Sequence, residues 1–207
     1  SDWQQFIVGS IFGWKRGDFR RFRSVYIESG KGSGKSPLCA GIGLYLTCAD
    51  GEMAAEVYAA AVTRDQAKIM FRDAEHMSTM SPALSERVVL TQNNISFPET
   101  QSYFRAISSE GRQLDGKRVH GALIDEVHEH PTPIVVEKMR AGTKGRRQAL
   151  IVLITNSGWD QTTVCWARHQ YGVDILEGGL EDIVLRGQAI DLLLQPVGLR
   201  RRVLLEV

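Results

Sequence analysis

Glu28-Ser29-Gly30-Lys31-Gly32-Ser33-Gly34-Lys35-Ser36 follows the apolar run Val25-Tyr26-Ile27 and precedes Pro37-Leu38-Cys39-Ala40-Gly41-Ile42. The order reads as a strand, a glycine loop and the start of a helix. Such a loop turns its backbone N–H groups inward, and the new helix adds the positive end of its dipole, so a polyphosphate is held with few side chains. In the pattern G-x-x-x-x-G-K-[ST], Lys35 reaches the β- and γ-phosphates and Ser36 holds Mg2+. The first glycine of that pattern is replaced by Ser29, which leaves Gly30 and Gly32 to supply the turn. Taken alone, the stretch also fits a flexible Gly/Ser/Lys loop.

The deciding segment comes about ninety residues later. Val119-His120-Gly121-Ala122-Leu123-Ile124-Asp125-Glu126 is a short apolar run ending in two acids. It reads as a buried strand that delivers both carboxylates at its C-terminal edge, where open α/β sheets bind ligands. Asp125 is expected behind the Mg2+, and Glu126 is expected to polarise the attacking water as general base. The pair favours a hydrolytic P-loop ATPase over a plain P-loop kinase, which needs no catalytic acid beside the metal-binding one.

A chain of 207 residues supports one α/β domain, and apolar and aromatic fractions of 43% and 8% are those of a folded core. No run of about eighteen apolar residues is present, so no membrane span is expected, and the N-terminus lacks an export-signal pattern. Cys39, Cys48 and Cys165 are odd in number and without metal-ligand spacing. They fit reduced thiols of a cytosolic protein. The net charge is only +1, yet Lys15-Arg16, Arg20-Arg21 with Arg23, Lys144 with Arg146-Arg147, and Arg200-Arg201-Arg202 are clustered cations. Each reads either as a patch for DNA phosphates or as a solvated face.

In chain order, Trp3, Phe6, Ile7 and Ile11 recur at helical spacing, and Trp3-Gln4 places a ring and an amide where an adenine base can be met. Residues 13–18 read as a loop, 22–27 as the strand feeding the glycine loop, and 37–48 as a helix. After the strand 56–62, Thr63-Arg64-Asp65-Gln66 is a capping box opening a helix to about Met80. Three short apolar pieces between Arg87 and Ile107 include a hairpin. His128-Glu129-His130 lacks the spacing of a metal site and reads as a loop near the γ-phosphate. A helix over Pro133 to Arg140 leads to the buried strand 149–154, which ends in Thr155-Asn156-Ser157-Gly158. Those polar tips suit a γ-phosphate sensor, and they are also ordinary turn chemistry.

Taken together these motifs resemble the large terminase subunit of tailed bacteriophages, specifically its N-terminal ATPase half. The resemblance runs from about Trp3 to Glu177 and rests on Trp3-Gln4, Phe12-Gly13-Trp14-Lys15 with Arg20-Arg21-Phe22-Arg23, Gly30 to Ser36, Ala60 to Ala67, Leu123 to Glu129 and Thr155 to Trp159. It implies a P-loop NTPase fold, a mostly parallel sheet flanked by helices, with an additional strand next to the P-loop strand and a catalytic glutamate. It further implies ATP and Mg2+ as cofactors, Trp3 and Gln4 at the adenine, Lys31 as a second basic residue of the loop, and Thr155, Asn156 and Ser157 as a coupling motif. Arg112 is the candidate arginine that a neighbouring subunit inserts. Members of this family assemble as rings on the portal protein of a procapsid, with a small terminase subunit, and drive double-stranded DNA inside. The place of action is the cytoplasm of the bacterial host. Residues 1–177 are expected to form the ATPase domain, and 178–207 an atypical tail, with the family's nuclease domain and DNA cleavage absent from this chain. The competing readings are a nucleotide-binding fragment without turnover, and another P-loop enzyme such as a helicase or small-molecule kinase.

Overall fold

The computed structural model describes residues 1–108, 114–156, 161–176, 187–193 and 200–206. Helix α1 (Asp2–Gly13) buries Trp3, Ile7 and Ile11 at the helical spacing expected of them. The stretch read as a loop is instead a small antiparallel hairpin, β1 (Lys15–Arg16) against β2 (Phe19–Arg20). Gly17, at φ 62°, supplies the left-handed residue that lets so short a turn close. Then follow β3 (Ser24–Glu28), α2 (Lys35–Cys48), β4 (Glu56–Ala61) and α3 (Arg64–Met80). The capping box at α3 forms as expected: Gln66 N–H donates to Thr63 Oγ1 (3.3 Å) and Thr63 N–H to Gln66 Oε1 (3.1 Å). Beyond α4 (Pro82–Ser85) come β5 (Val89–Thr91), β6 (Asn94–Phe97), β7 (Ser102–Ser108), β8 (Val119–Ile124), α5 (Ile134–Gly142), β9 (Leu150–Thr155) and α6 (Val164–Leu176). Two strands close the series, β10 (Gly187–Leu193) and β11 (Arg200–Glu206).

Among the described residues the main sheet runs in the order β10-β11-β3-β9-β8-β4-β7-β6-β5. Its centre, β3-β9-β8-β4-β7, is parallel throughout, and the antiparallel pairs β5-β6 and β10-β11 border it. Strand β9 lies between β3 and β8, and this is the additional strand that the resemblance implied. The central strands read as continuous apolar runs because both faces are covered. Alternate residues go to opposite sides: Val25, Ile27, Val57, Ala59, Val152 and Ile154 join one core cluster with α1, α2 and α3, whereas Tyr26, Tyr58, Ala60, Ile151 and Leu153 join a second with α5 and α6. The segment after residue 177, expected as an atypical tail, adds strands to the outer side of β3, with Val203 opposite Ile27 and both buried.

One of the clustered basic runs loses a member in the structure. Arg20 is not free to meet DNA: its guanidinium holds both carboxylate oxygens of Asp50 (2.6 and 3.0 Å) and the carbonyl of Gln148, with only 3% of its side chain exposed. His120 Nε2 approaches the same carboxylate at 2.7 Å from β8. This buried triad ties the hairpin, the far end of α2 and the start of the parallel strands together. Burial opposes the charge of Asp50, but the hydrogen bonds from His120 and Arg20 hold its carboxyl below the usual range.

Candidate functional site

The C-terminal tips of β3, β8 and β9 meet where α2 begins. The chain leaves β3 at Glu28, and Ser29 N–H continues the pairing by donating to the carbonyl of Thr155 (3.1 Å). Gly32 and Gly34 then take φ of 76° and 89°, a left-handed region closed in practice to most side chains, and α2 starts at Lys35. The Lys35 ammonium, in a residue 7% exposed, points back over this loop. It donates to the carbonyls of Ser29 (2.6 Å) and Gly30 (3.1 Å) and to Asn156 Oδ1 (2.7 Å). The hydroxyls of Ser29 and Ser33 are buried with no hydrogen-bond partner among the described residues. A polar cradle with unsatisfied hydroxyls and a buried cation fits the phosphates of a nucleotide.

Ser36 Oγ lies 3.4 Å from Asp125 Oδ2, so the two residues expected to hold Mg2+ face one another. Asp125 is 7% exposed, and burial pushes its carboxyl up to about 6, opposed by the hydrogen bond from Glu126 N–H and reinforced by the Glu126 charge. A hydroxyl and a single carboxylate are a weak site for an ion by themselves and a good one once phosphate oxygens share the coordination. Glu126 sits at φ 46°, ψ 52°, rare for a residue with a side chain and costing about 1–3 kcal/mol. The turn carries its carboxylate toward Asn156, whose Nδ2 stands 3.5 Å from Glu126 Oε2. One amide thus bridges the loop lysine and the second acid.

The loop after Glu126 and helix α6 bring further groups to the site, whose partners the sequence does not announce. His128 Nδ1 reaches both Glu126 Oε2 (3.4 Å) and Thr155 Oγ1 (3.0 Å), and its N–H donates to the same hydroxyl (3.2 Å). Burial keeps His130 neutral; its Nε2 donates to the carbonyl of Asp125 (3.1 Å), which leaves Nδ1 as a bare acceptor, without a partner among the described residues. Gln66 Nε2 donates to Glu129 Oε2 (2.6 Å), linking the capped start of α3 to this loop. Behind the site, α6 docks on the ends of β3 and β9: Cys165 Sγ lies 3.6 Å from Thr155 Oγ1, and His169 Nδ1 lies 2.7 Å from Glu28 Oε2. The sequence reads His128-Glu129-His130 as a loop near the γ-phosphate; within it the two histidines take different partners, His128 the Thr155 hydroxyl and Glu126, His130 the Asp125 carbonyl. The contacts from α6 join residues far apart in sequence, which no local pattern announces.

Gln4 arrives where the loop becomes a helix, its Nε2 donating to the carbonyl of Gly34 (3.2 Å). Trp3 does not accompany it. At 4% exposure its ring packs in the core with Ile7 and Ile11, so in this conformation it is a packing side chain rather than one lying on a base. Beside Gln4 an apolar groove of about 520 Å3 runs between α1 and α2, lined by Val8, Phe12, Pro37, Leu38 and Tyr45 among others. Lys31 is exposed at the rim of the loop. Arg112 and Ser157 lie outside the described residues.

A family profile described as "Terminase large subunit, ATPase domain" matches residues 2–172. The chain belongs to that family. The fold agrees with the terminase ATPase domains: the HK97 bacteriophage large terminase superposes at a TM-score of 0.72 with 17% identity, covering 86% of this chain and 37% of that one. The large terminase of a thermophilic bacteriophage, in complex with ADP, superposes at 0.54 with 14% identity, covering 72% and 37%. Protein YmfN of Escherichia coli (strain K12) is 34% identical over 76 residues, 37% of this chain and 17% of the relative. The chain therefore spans little more than a third of these two large terminases. Among the described residues no helix is long and apolar enough to cross a membrane.

Proposed function

We propose that this domain binds and hydrolyses ATP with Mg2+ and uses the cycle to move double-stranded DNA into a procapsid. The observation that carries the reading is the Asn156 bridge, with Oδ1 on Lys35 and Nδ2 beside Glu126, next to the facing pair Ser36 and Asp125. Gly30 to Gly34 and Lys35 would cradle the β- and γ-phosphates, with Lys31 at the rim, and Lys35 would exchange its loop carbonyls for phosphate oxygens. Gln4 and the apolar groove beside it would take the adenine. Ser36 and Asp125 would hold the ion, which supplies charge neutralisation on the phosphates when bound. Glu126 would accept the proton of the attacking water. Asn156, losing Lys35 to the nucleotide, would report that change through Thr155 and Ser157 to α6. The ADP complex of the thermophilic phage's terminase and the family membership support this assignment. Double-stranded DNA, the portal protein, the small terminase subunit and further copies in a ring are the partners proposed, with Arg112 as the arginine offered to a neighbour, in the cytoplasm of a bacterial host.

The testing experiment is ATP hydrolysis by the purified chain with Mg2+, with and without double-stranded DNA. Turnover stimulated by DNA is expected; nucleotide binding without turnover at any protein concentration would reduce the chain to a binding module. Lys35→Ala should cut ATP affinity by roughly 10- to 100-fold, since it removes a charged partner of the phosphates worth roughly 1.5–3 kcal/mol in hydrogen bonding. Isothermal titration with ATP checks it, and retention of affinity within about threefold would remove Lys35 from the site.

The raised carboxyl of Asp125 gives a pH dependence with a definite sign. Protons and Mg2+ compete for this group, so Mg2+ affinity in the presence of ADP should be steady above about pH 7 and fall roughly tenfold per pH unit well below 6. The charged form is disfavoured on folding, so in the absence of metal this group alone makes the domain more stable, not less, as pH drops from about 7 to about 5. A Mg2+ affinity flat down to about pH 5 would contradict the placement of Asp125 at the ion.

A further inference from the structure

Two of the clustered basic runs, far apart in sequence, converge at the opposite end of β3 and β9 from the phosphate loop. Arg23 precedes β3, Arg146 precedes β9, and Arg140 and Lys144 come from the end of α5 and the turn after it. With Ser24, Thr143, Ala149 and Ile151 they line a cleft of about 510 Å3, and among the described residues that lining holds no carboxylate. Arg146, one of the lining residues, is already paired: its guanidinium meets Glu52 Oε1 (2.7 Å) and the carbonyls of Met53 (2.9 Å) and Ala54. Arg23 Nη2 donates to the carbonyl of Arg146 (3.1 Å), which holds its side chain beside that lining residue. Arg23 and Lys144 are exposed at the mouth, with Arg140 beside them, so the described rim is cationic.

The chemistry of the walls narrows the occupant. Ala149 and Ile151 are buried at 1% and 3%, so the lining that faces solvent comes from the cationic and hydroxyl side chains, the aliphatic stems of the arginines and lysine included, with no large apolar residue among the described lining to anchor a protein partner. Arginine and lysine with small hydroxyl donors are the groups that hold phosphate oxygens along a nucleic-acid backbone. We infer that this cleft is a second anion site of the domain, and that it takes the backbone phosphates of double-stranded DNA. The inference rests on the proposed DNA-moving function and adds where the duplex touches this domain. It also sets the two anion sites at the two ends of the same strand pair, separated by the length of β3, roughly 13 Å at about 3.3 Å per residue.

The test is a salt titration of binding to a short DNA duplex, comparing the native chain with Lys144→Gln and with Arg23→Gln/Lys144→Gln, all with ADP present. Log affinity against log salt should lose about 0.9 in slope for each phosphate contact removed, so about 1.8 for the double variant, with affinity down roughly 10- to 100-fold at about 0.1 M salt. ADP affinity should not change, because the nucleotide lies at the other end of the strands, and this also verifies folding; the exposed Lys144→Gln alone keeps the test valid if the double variant folds poorly. A native chain that binds DNA while both variants keep its slope and affinity would overturn the cleft and leave the motor reading standing. A native chain that binds no DNA would overturn both. Loss of poly-glutamate binding with DNA binding intact would assign the cleft to an acidic protein and overturn it as a DNA site.

Discussion

Glu126→Gln is expected to lower ATP turnover by about 10²–10⁴-fold while leaving ATP affinity within about twofold. Gln retains an oxygen that can accept from Asn156 Nδ2 and has the same backbone preferences at φ 46°, so the turn and the bridge survive. What it lacks is a carboxylate to take the proton of the attacking water. The substitution also removes a negative charge that raises the Asp125 carboxyl, so ion binding should be equal or slightly tighter and cannot explain lost turnover. Single-turnover hydrolysis beside equilibrium binding separates the two effects. Equal loss of binding and turnover would mean that Glu126 positions nucleotide rather than accepting a proton.

Removing the carboxylate of Asp50 should cost about 3–5 kcal/mol of stability, because it strands a buried guanidinium without its counter-charge. In Asp50→Ala, the Arg20 guanidinium, on a side chain 3% exposed, would keep the Gln148 carbonyl and the Phe12 ring (5.5 Å) but no counter-charge, and His120 Nε2 would lose the Asp50 carboxylate. Replacing Arg20 by Met together with Asp50→Ala should recover much of the loss, as an apolar pair does not carry the stranded charge. Urea unfolding of the three proteins checks this, and a single-variant cost under about 1 kcal/mol would show that the triad contributes little. The pH dependence follows from the depressed Asp50 carboxyl: its contribution is complete above the ordinary carboxylate value near about 4 and is lost as pH falls below it.

The same residues illustrate what the chain discloses before it is folded. The glycine loop, the acid-terminated strand and the Thr155-Asn156 tip were legible because each is a local pattern with one chemical use, and the sheet brings all three to one edge. The capping box at Thr63 is legible for the same reason, whereas the additional strand is what the family resemblance implies rather than a local pattern. Arg20 was not: in the sequence it is one of three neighbouring cations, and only the approach of Asp50 and His120 from other elements distinguishes it from Arg23, which stays at the surface. Trp3 sits in a pattern that serves equally as a core stripe, and burial decided for the core. The edge strands β10 and β11 lie in a segment whose alternation is interrupted by arginines, and their place beside β3 depends on backbone pairing with a strand near the other end of the chain.

That distant pairing has a consequence for how the domain comes into being. Strand β3 is held in parallel register by β9, Ser24 beside Ile151 and Glu28 beside Thr155, partners more than a hundred residues apart. Closing so long a segment is slow compared with forming the helices and hairpins inside it. During synthesis the glycine loop therefore emerges well before Asn156, and until then Lys35 lacks that side-chain partner. A growing chain shorter than that has no completed cradle, so nucleotide can stabilise only the finished domain, by an amount that rises with the logarithm of its concentration. ATP would then act on the last stage of folding as well as on the machine that results.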